Sequence, residues 1–457
     1  MARLKACSRP IPRPEPVTTT TRPSHKRLIG NDSSLNTVSQ TKSNNSAGDL
    51  ACDVLIVGAG PSGIAAALTL RAAQYDVIVI DKAFFPRDKC CGDGLTTGAL
   101  RILDEIGFDP NSVPNWTVCN DVWLRSPSGT EMQFSLPTRG QFAAIAPRIE
   151  LDHALVQLAR SRGIQVLEGH EFVSVREQTS DHITIEISNS NSNKNETIRA
   201  KFLVASDGMW SPVRKFLGMS TPGYLGEWHA FRQYANNVTG SAKDRLHVWF
   251  DKDLLPGYAW SFPLQKGRVN IGFGILRGGK YSVQQMKDLW PNLLARKHIA
   301  SALGSEVVFE DRHTAWPIPA RVTTAPLSSG RVLFIGDAAC VTDSLTGEGI
   351  GQALLSGQLS AHAIIAGIGR EASVTRDKYE QLIKQNFFAD HRMSMTLGTI
   401  LKSSFGARAA LRVANLTPWT RRNFVRWMFE DEPRAAIFTP SRWHRNFLRR
   451  AGAFQTK

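Results

Sequence analysis

A chain of 457 residues, 42% hydrophobic and 21% charged, has the composition of an ordinary globular protein and room for two or three domains. Its longest apolar runs, such as FLVASDG and AIIAGIG, fall short of the roughly 18 apolar residues of a membrane span, so the chain is not expected to cross a bilayer. The formal charge of +15 sits at the ends, with eight Lys/Arg against three Asp/Glu in residues 1–50 and twelve against three in residues 401–457; the near-neutral body excludes the basic stripe of a nucleic-acid binder.

Residues 1–50, rich in Ser, Thr, Asn, Pro and Arg and without hydrophobic periodicity, read as a disordered basic tail or a cleaved targeting peptide, with no apolar core for a secretory signal. Order begins at CDVLIVGAGPSGIAAALTLRAAQYDVIVIDK. Strand Val54 to Val57 runs into a glycine turn, a small-residue helix follows, and strand Val77 to Ile80 ends at Asp81. Gly58, Gly60 and Gly63 form a GxGxxG whose glycines serve the tight turn, the approach of a pyrophosphate and the helix–strand contact. Pro61 and Ser62 open the helix, whose N-terminus offers amides to the phosphates. Asp81, beside Lys82, is placed to accept hydrogen bonds from a ribose, so the segment reads as a dinucleotide site.

Further along, FPRDKCCGDGL brings Cys91, Gly92, Asp93 and Gly94 together, and Arg148 stands at the start of a helix in APRIELDHAL. Segments such as NDVWLRSPSGTEMQFSL and GRVNIGFGILRGG alternate as antiparallel strands do. In LPGYAWSFPL the rings of Tyr258, Trp260 and Phe262 fall on one face of an extended segment while Ala259 and Ser261 face the other way, which suits either a packed core or an aromatic pocket wall. Asp207-Gly208 and Gly336-Asp337 each follow an apolar strand, and Gly347, Glu348, Gly349 and Ile350 lead into a helix. From about Gly349 the pattern is helical to the end. Six cysteines (7, 52, 90, 91, 119, 340) show neither C-x-x-C pairs nor His partners at ligand spacing, so no metal site or disulfide framework is expected and a reducing, cytoplasmic setting fits.

The ordered trio of glycine turn, DG and GD resembles the FAD-dependent group of aromatic hydroxylases, flavin halogenases and geranylgeranyl reductases. Within it, Phe85 to Leu95 and the YxWxFP of Tyr258, Trp260, Phe262 and Pro263 most resemble the bacterial geranylgeranyl reductase family. Ser344 and Cys90 depart from it, standing where proline is common. The resemblance implies an α/β fold: a Rossmann-like FAD-binding domain (51–115, 140–220 and 325–366), an antiparallel-sheet substrate domain (116–139 and 221–324) and a helical basic C-terminal region (367–457).

It implies that Asp337 binds the ribityl chain, that the helix after Gly349 faces the flavin's pyrimidine edge, and that Arg148 lies on the flavin side, a surface salt bridge being the alternative. It implies an isoprenoid pocket lined by Tyr258, Trp260 and Phe262, whose faces can stabilise a cation-like alkene. Cys91 and Tyr258 are the candidate proton donors, with Cys91 equally readable as a packed thiol. The activity implied is saturation of prenyl double bonds with electrons from NADPH or NADH; a FAD-dependent monooxygenase on an apolar or aromatic substrate, or a non-enzymatic flavin-loaded protein, are the alternatives. The Arg-, Trp- and Phe-rich C-terminal stretch suits peripheral association with the inner face of an anionic membrane, or a helical cap on the flavin domain.

Overall fold

The structure, a computed structural model, describes residues 49–455, so the tail reading lies outside the described residues except at Asp49 and Leu50, which belong to the first strand. Strand Asp49–Val57 runs parallel to Val77–Asp81, with helix Pro61–Ala72 as the crossover. Lys194–Ala205 pairs on the other side of Asp49–Val57, Val332–Phe334 follows it, and Gln165–Glu168 closes the far edge beside Val77–Asp81, all parallel. Val54, Leu55, Ile56, Val79 and Ile80 are buried, as strands covered on both faces must be. Helix Ile350–Gly367 packs so closely on Pro61–Ala72 that a Cβ on Gly357 would meet Ser62 O at 2.2 Å. The two helices that begin at the glycine loop and at the TGEGI loop therefore lie against each other.

A second sheet takes strands in the order Val308–Phe309, Trp228–Asn236, Val269–Leu276, Tyr258–Pro263, Leu246–Trp249, Asp121–Arg125 and Glu131–Ser135, with Thr314–Ile318 also on Trp228–Asn236. It is not wholly antiparallel: Leu246–Trp249 and Asp121–Arg125 run parallel, because the two segments arrive at the sheet from distant parts of the chain and no hairpin joins them. One face carries Ala259, Phe231 and Phe273, packed on Met286, Trp290 and Leu293 of helix Met286–Leu294. Side-chain alternation sends Tyr258, Trp260 and Phe262 to the opposite face, which lines a cavity.

The C-terminal region is helical only to Met428. Helices Ala372–Ile383, Ala389–Leu401, Ser404–Ala414 and Pro418–Met428 give way to single 3-10 turns at Ala436–Phe438 and Pro440–Arg442. Pro433 and Pro440 lack the N–H a continued helix needs, and Glu430 takes a left-handed φ of 56°. The chain then returns to the first part of the protein, bridging Ala453 to Gln141.

Candidate functional site

The three glycines of the loop stand in different surroundings. At Gly58 φ is 107° and a Cβ would lie 2.3 Å from Ser206 O; at Gly63 it would lie 2.0 Å from Gly58 O. Gly60 is extended, and a Cβ there would meet nothing nearer than Arg87 Nη2 at 3.9 Å, so its face is open to the cavity. Pro61 and Ser62 border the same space, and the Ser62 hydroxyl shares a hydrogen bond with Ser206 Oγ at 2.6 Å. Asp81 is aimed by the amides of Ala59 and Ala83, at 2.8 and 2.9 Å. Lys82 borders the cavity as well, its side chain 71% exposed and reaching towards Glu171 at 3.9 Å.

Asp207 and Gly208 border the cavity beside the glycine loop. One Asp207 oxygen accepts the Val213 amide at 3.0 Å, while Oδ1 is buried with no partner among the described residues. Burial pushes this carboxyl up to about 6. Gly336, at φ 57°, turns Asp337 into the cavity, where Lys89 holds its carboxylate at 3.0 Å. Gly347, Glu348, Gly349 and Ile350 line the same space at the start of helix Ile350–Gly367, and Glu348 Oε1 accepts the Gly351 amide at 2.9 Å.

Tyr258, Trp260 and Phe262 form the opposite wall, with successive ring centroids 6.1 Å apart. Trp260 donates to Asn270 Oδ1 at 3.1 Å, and the Tyr258 hydroxyl donates to the Thr346 carbonyl. Gly92 and Gly94 make room for this strand: Cβ atoms there would lie 3.5 and 3.0 Å from the Phe262 ring.

Asp93 and Arg148 border the cavity too, each with its side chain engaged by protein partners. Asp93 is fully buried, and its carboxylate accepts from Tyr234 Oη at 2.6 Å, Asn270 Nδ2 at 2.8 Å and the Arg148 amide at 3.2 Å; it ties the CGDG loop to the aromatic sheet and has no free side-chain oxygen for a cofactor. Arg148 lies on the cavity side and is not a surface salt bridge. It is 5% exposed and grips Asp152 with two bonds of 2.7 Å, and Arg87 reaches the same carboxylate at 2.8 Å. Burial pushes the Cys91 thiol up to about 11, so it remains a thiol at neutral pH.

The cavity, of about 1620 Å³, is continuous from the glycine loop past the aromatic strand to a chamber walled by Met393, Leu397, Leu411, Phe424 and Trp427. That volume exceeds the roughly 300–1,000 Å³ of a site for one drug-sized ligand, leaving space for a cofactor and a second guest. The residues fit FAD. The open Gly60 face, the unpartnered Asp207 oxygen and the inward Asp337 carboxylate supply acceptors and close backbone approach along one wall. Sequence reasoning missed Lys89, Asn270 and Tyr234, whose partners are far away in sequence, and the C-terminal chamber wall. It also missed Asp152, which the i, i+4 spacing from Arg148 on a helix would have found. An Asp337→Ala variant is expected to fold and to purify with less than about a tenth of the wild-type FAD, since a lost charge-assisted hydrogen bond is worth about 1.5–3 kcal/mol; absorbance of the released flavin checks it.

Fold and cavity define a FAD-dependent oxidoreductase. The FAD binding domain family matches residues 51–380. Menaquinone reductase of Mycobacterium tuberculosis is 30% identical over 345 residues, covering 69% of this chain and 77% of that protein. Digeranylgeranylglycerophospholipid reductase of Methanosarcina acetivorans is 26% identical over 77% of this chain and 84% of its own. A geranylgeranyl bacteriochlorophyll reductase-like structure from Thermoplasma acidophilum superposes with a TM-score of 0.70 at 21% identity, covering 87% of this chain and all of that one. The chain belongs to the FAD-binding family and, within it, to the geranylgeranyl reductases.

Proposed function

We propose that this protein saturates double bonds of an isoprenoid chain, using FAD that NADPH or NADH reduces transiently. The observation that carries the reading is the continuity of the cavity, with the aromatic strand standing where the dinucleotide end meets the apolar chamber. The names of the two reductase relatives support it and point to the menaquinone side chain or a geranylgeranylated lipid as substrate. Bound FAD supplies the hydride. Gly60, Asp81, Asp207 and Asp337 hold the cofactor, and the wall of Leu397, Leu411, Phe424 and Trp427 takes the chain out of water, worth about 0.8 kcal/mol per buried CH₂. The faces of Tyr258, Trp260 and Phe262 exclude water and stabilise positive charge developing on the alkene by about 0.5–2 kcal/mol per contact.

The test is to reduce the holoprotein anaerobically, add a lipid extract and follow flavin reoxidation together with lipid mass. A prenyl lipid gaining two hydrogens per reduced bond supports the reading. No lipid change, with an oxygenated product once air is admitted, favours the monooxygenase instead.

The same reading places the protein on the inner face of an anionic membrane. Among the described residues no helix is long and apolar enough to cross one. Phe405, Leu416, Trp419, Ile437 and Phe438 are 60–80% exposed, and Trp419 and Ile437 also border the chamber. Lys402, Arg408, Arg421, Arg422 and Arg445 share this region of the chain. Side chains that both meet solvent and line the chamber suit a mouth through which a lipid chain enters from a bilayer. Ile437→Ser/Phe438→Ser is expected to weaken binding to anionic vesicles by on the order of 100-fold, from about 3 kcal/mol of lost burial, with FAD content unchanged. Cosedimentation equal to wild type removes this docking mode.

A further inference from the structure

Beside Tyr258, Glu348 borders the cavity, and two further buried carboxyl groups near it, Asp343 and Glu430, both pair with one cation, Arg434. Asp343 Oδ1 accepts the amides of Leu345 and Thr346 at 3.0 and 2.8 Å, and its Oδ2 accepts Ser394 Oγ at 2.6 Å and Arg434 Nε at 3.0 Å. Glu430 accepts Gln352 Nε2 at 2.7 Å, Arg434 Nη2 at 3.2 Å and Thr96 Oγ1 at 3.1 Å, so both its oxygens are engaged. Glu348 touches neither the guanidinium nor any other cation. Its carboxyl is held by the first amides of the helix, Oε1 accepting that of Gly351 at 2.9 Å beside the Ile350 amide. Arg434, 4% exposed, balances one charge of the three.

The surrounding charges do not make up the difference. Arg148 is committed to Asp152, Arg101 and Arg426 to Asp431, and Lys89 to Asp337. His391 lies near Asp343, but its burial favours the neutral ring. One carboxyl of the trio keeps its proton most readily, and Glu348 is the one that borders the cavity, the other two being paired with Arg434.

We propose that Glu348 is the general acid of double-bond reduction. This rests on the reductase reading. The Oε2–H bond breaks as the alkene π pair forms a C–H bond with that proton, the other alkene carbon accepts the hydride, and the carboxylate left behind is reprotonated from water. The two electrons come from NAD(P)H. Burial first, then the charges of Glu430 and Asp343, push the Glu348 carboxyl up to about 8 despite the Gly351 and Ile350 amides that oppose the rise, so the acid form is present at neutral pH. The rival donors are weaker acids: the Cys91 thiol is pushed to about 11, and the Tyr258 phenol, raised by burial, already donates to the Thr346 carbonyl. Glu430 is raised as well, but its oxygens face protein donors.

Glu348→Gln keeps an acceptor for the Gly351 amide and removes the acid. FAD content, melting temperature and flavin reduction by NAD(P)H are expected to match wild type, while anaerobic flavin reoxidation by prenyl lipid slows at least about 100-fold. Wild-type reoxidation should fall as pH rises through about 8, and the variant's residual rate should not follow that titration. Independently of turnover, the infrared spectrum of the holoprotein should show a protonated-carboxyl stretch that titrates over the same range and is missing from the variant. A variant that reoxidises at the wild-type rate, or a spectrum without that band, overturns the assignment; loss confined to Tyr258→Phe or Cys91→Ser moves the acid to that residue. Wild-type flavin that no prenyl lipid reoxidises overturns the reductase reading and the acid role with it, and so is distinguishable from failure of the acid role alone.

Discussion

Gly58→Ala is expected to fail to accumulate as folded protein, whereas Gly60→Ala folds with a wild-type melting temperature and carries almost no FAD. The two positions lie two residues apart in one motif, and the difference is geometric. At Gly58 a methyl group would sit 2.3 Å from the Ser206 carbonyl, a backbone atom of the neighbouring parallel strand's exit, at a φ of 107° that an L-residue resists. Relief would require the central strands to part, at a cost of about 4 kcal/mol or more against a total stability of about 5–15 kcal/mol. At Gly60 the backbone is extended and the methyl has 3.9 Å of clearance, so the apo fold is unaffected. What the methyl fills there is the approach of the pyrophosphate to the loop. Thermal unfolding and flavin absorbance on both variants separate the outcomes; a FAD-loaded Gly60→Ala protein would refute the assignment of that face to phosphate.

Trp260→Ala should retain FAD, lose roughly 3 kcal/mol of stability and reoxidise with prenyl lipid on the order of 100-fold more slowly. The stability loss follows from burial: the indole is 6% exposed, lies against the position of Gly272, where a Cβ would be 2.3 Å from its ring, and donates to Asn270. The rate loss follows from position, since removing the middle ring opens the wall between Tyr258 and Phe262 and misplaces the chain they orient. Trp260→Phe separates the contributions, keeping an aromatic face while leaving Asn270 Oδ1 without its indole donor. It should recover most of the rate and less of the stability. Unchanged reoxidation in Trp260→Ala would return this strand to the role of ordinary core.

The sequence reading succeeded where a function is carried by a short segment. The GxGxxG turn, Asp81 at the end of the second strand and the one-sided aromatic strand are visible because backbone sterics and side-chain alternation operate over a few residues. Asp93 and Arg148 show where the same reasoning reaches its limit. Each residue type suits a cofactor site. Yet the Asp93 side chain is engaged by Tyr234 and Asn270, and that of Arg148 by Asp152. A motif states which residues are near a ligand and not which partner their side chains choose.

The C-terminal region makes the point at larger scale. Its basic and aromatic composition is legible, but not that Glu430 and Arg434 return to the TGEGI loop, nor that Leu411, Phe424 and Trp427 wall the cavity. The sequence by itself determined the dinucleotide half of this protein and the face on which Tyr258, Trp260 and Phe262 lie, because local sterics and the two-residue period of a strand leave few alternatives. Only the tertiary structure decided the chamber, the Lys89–Asp337 pair and the meeting of Asp343 and Glu430 at Arg434. These bring together residues up to several hundred positions apart, and their energies depend on burial and on partners that no local pattern encodes.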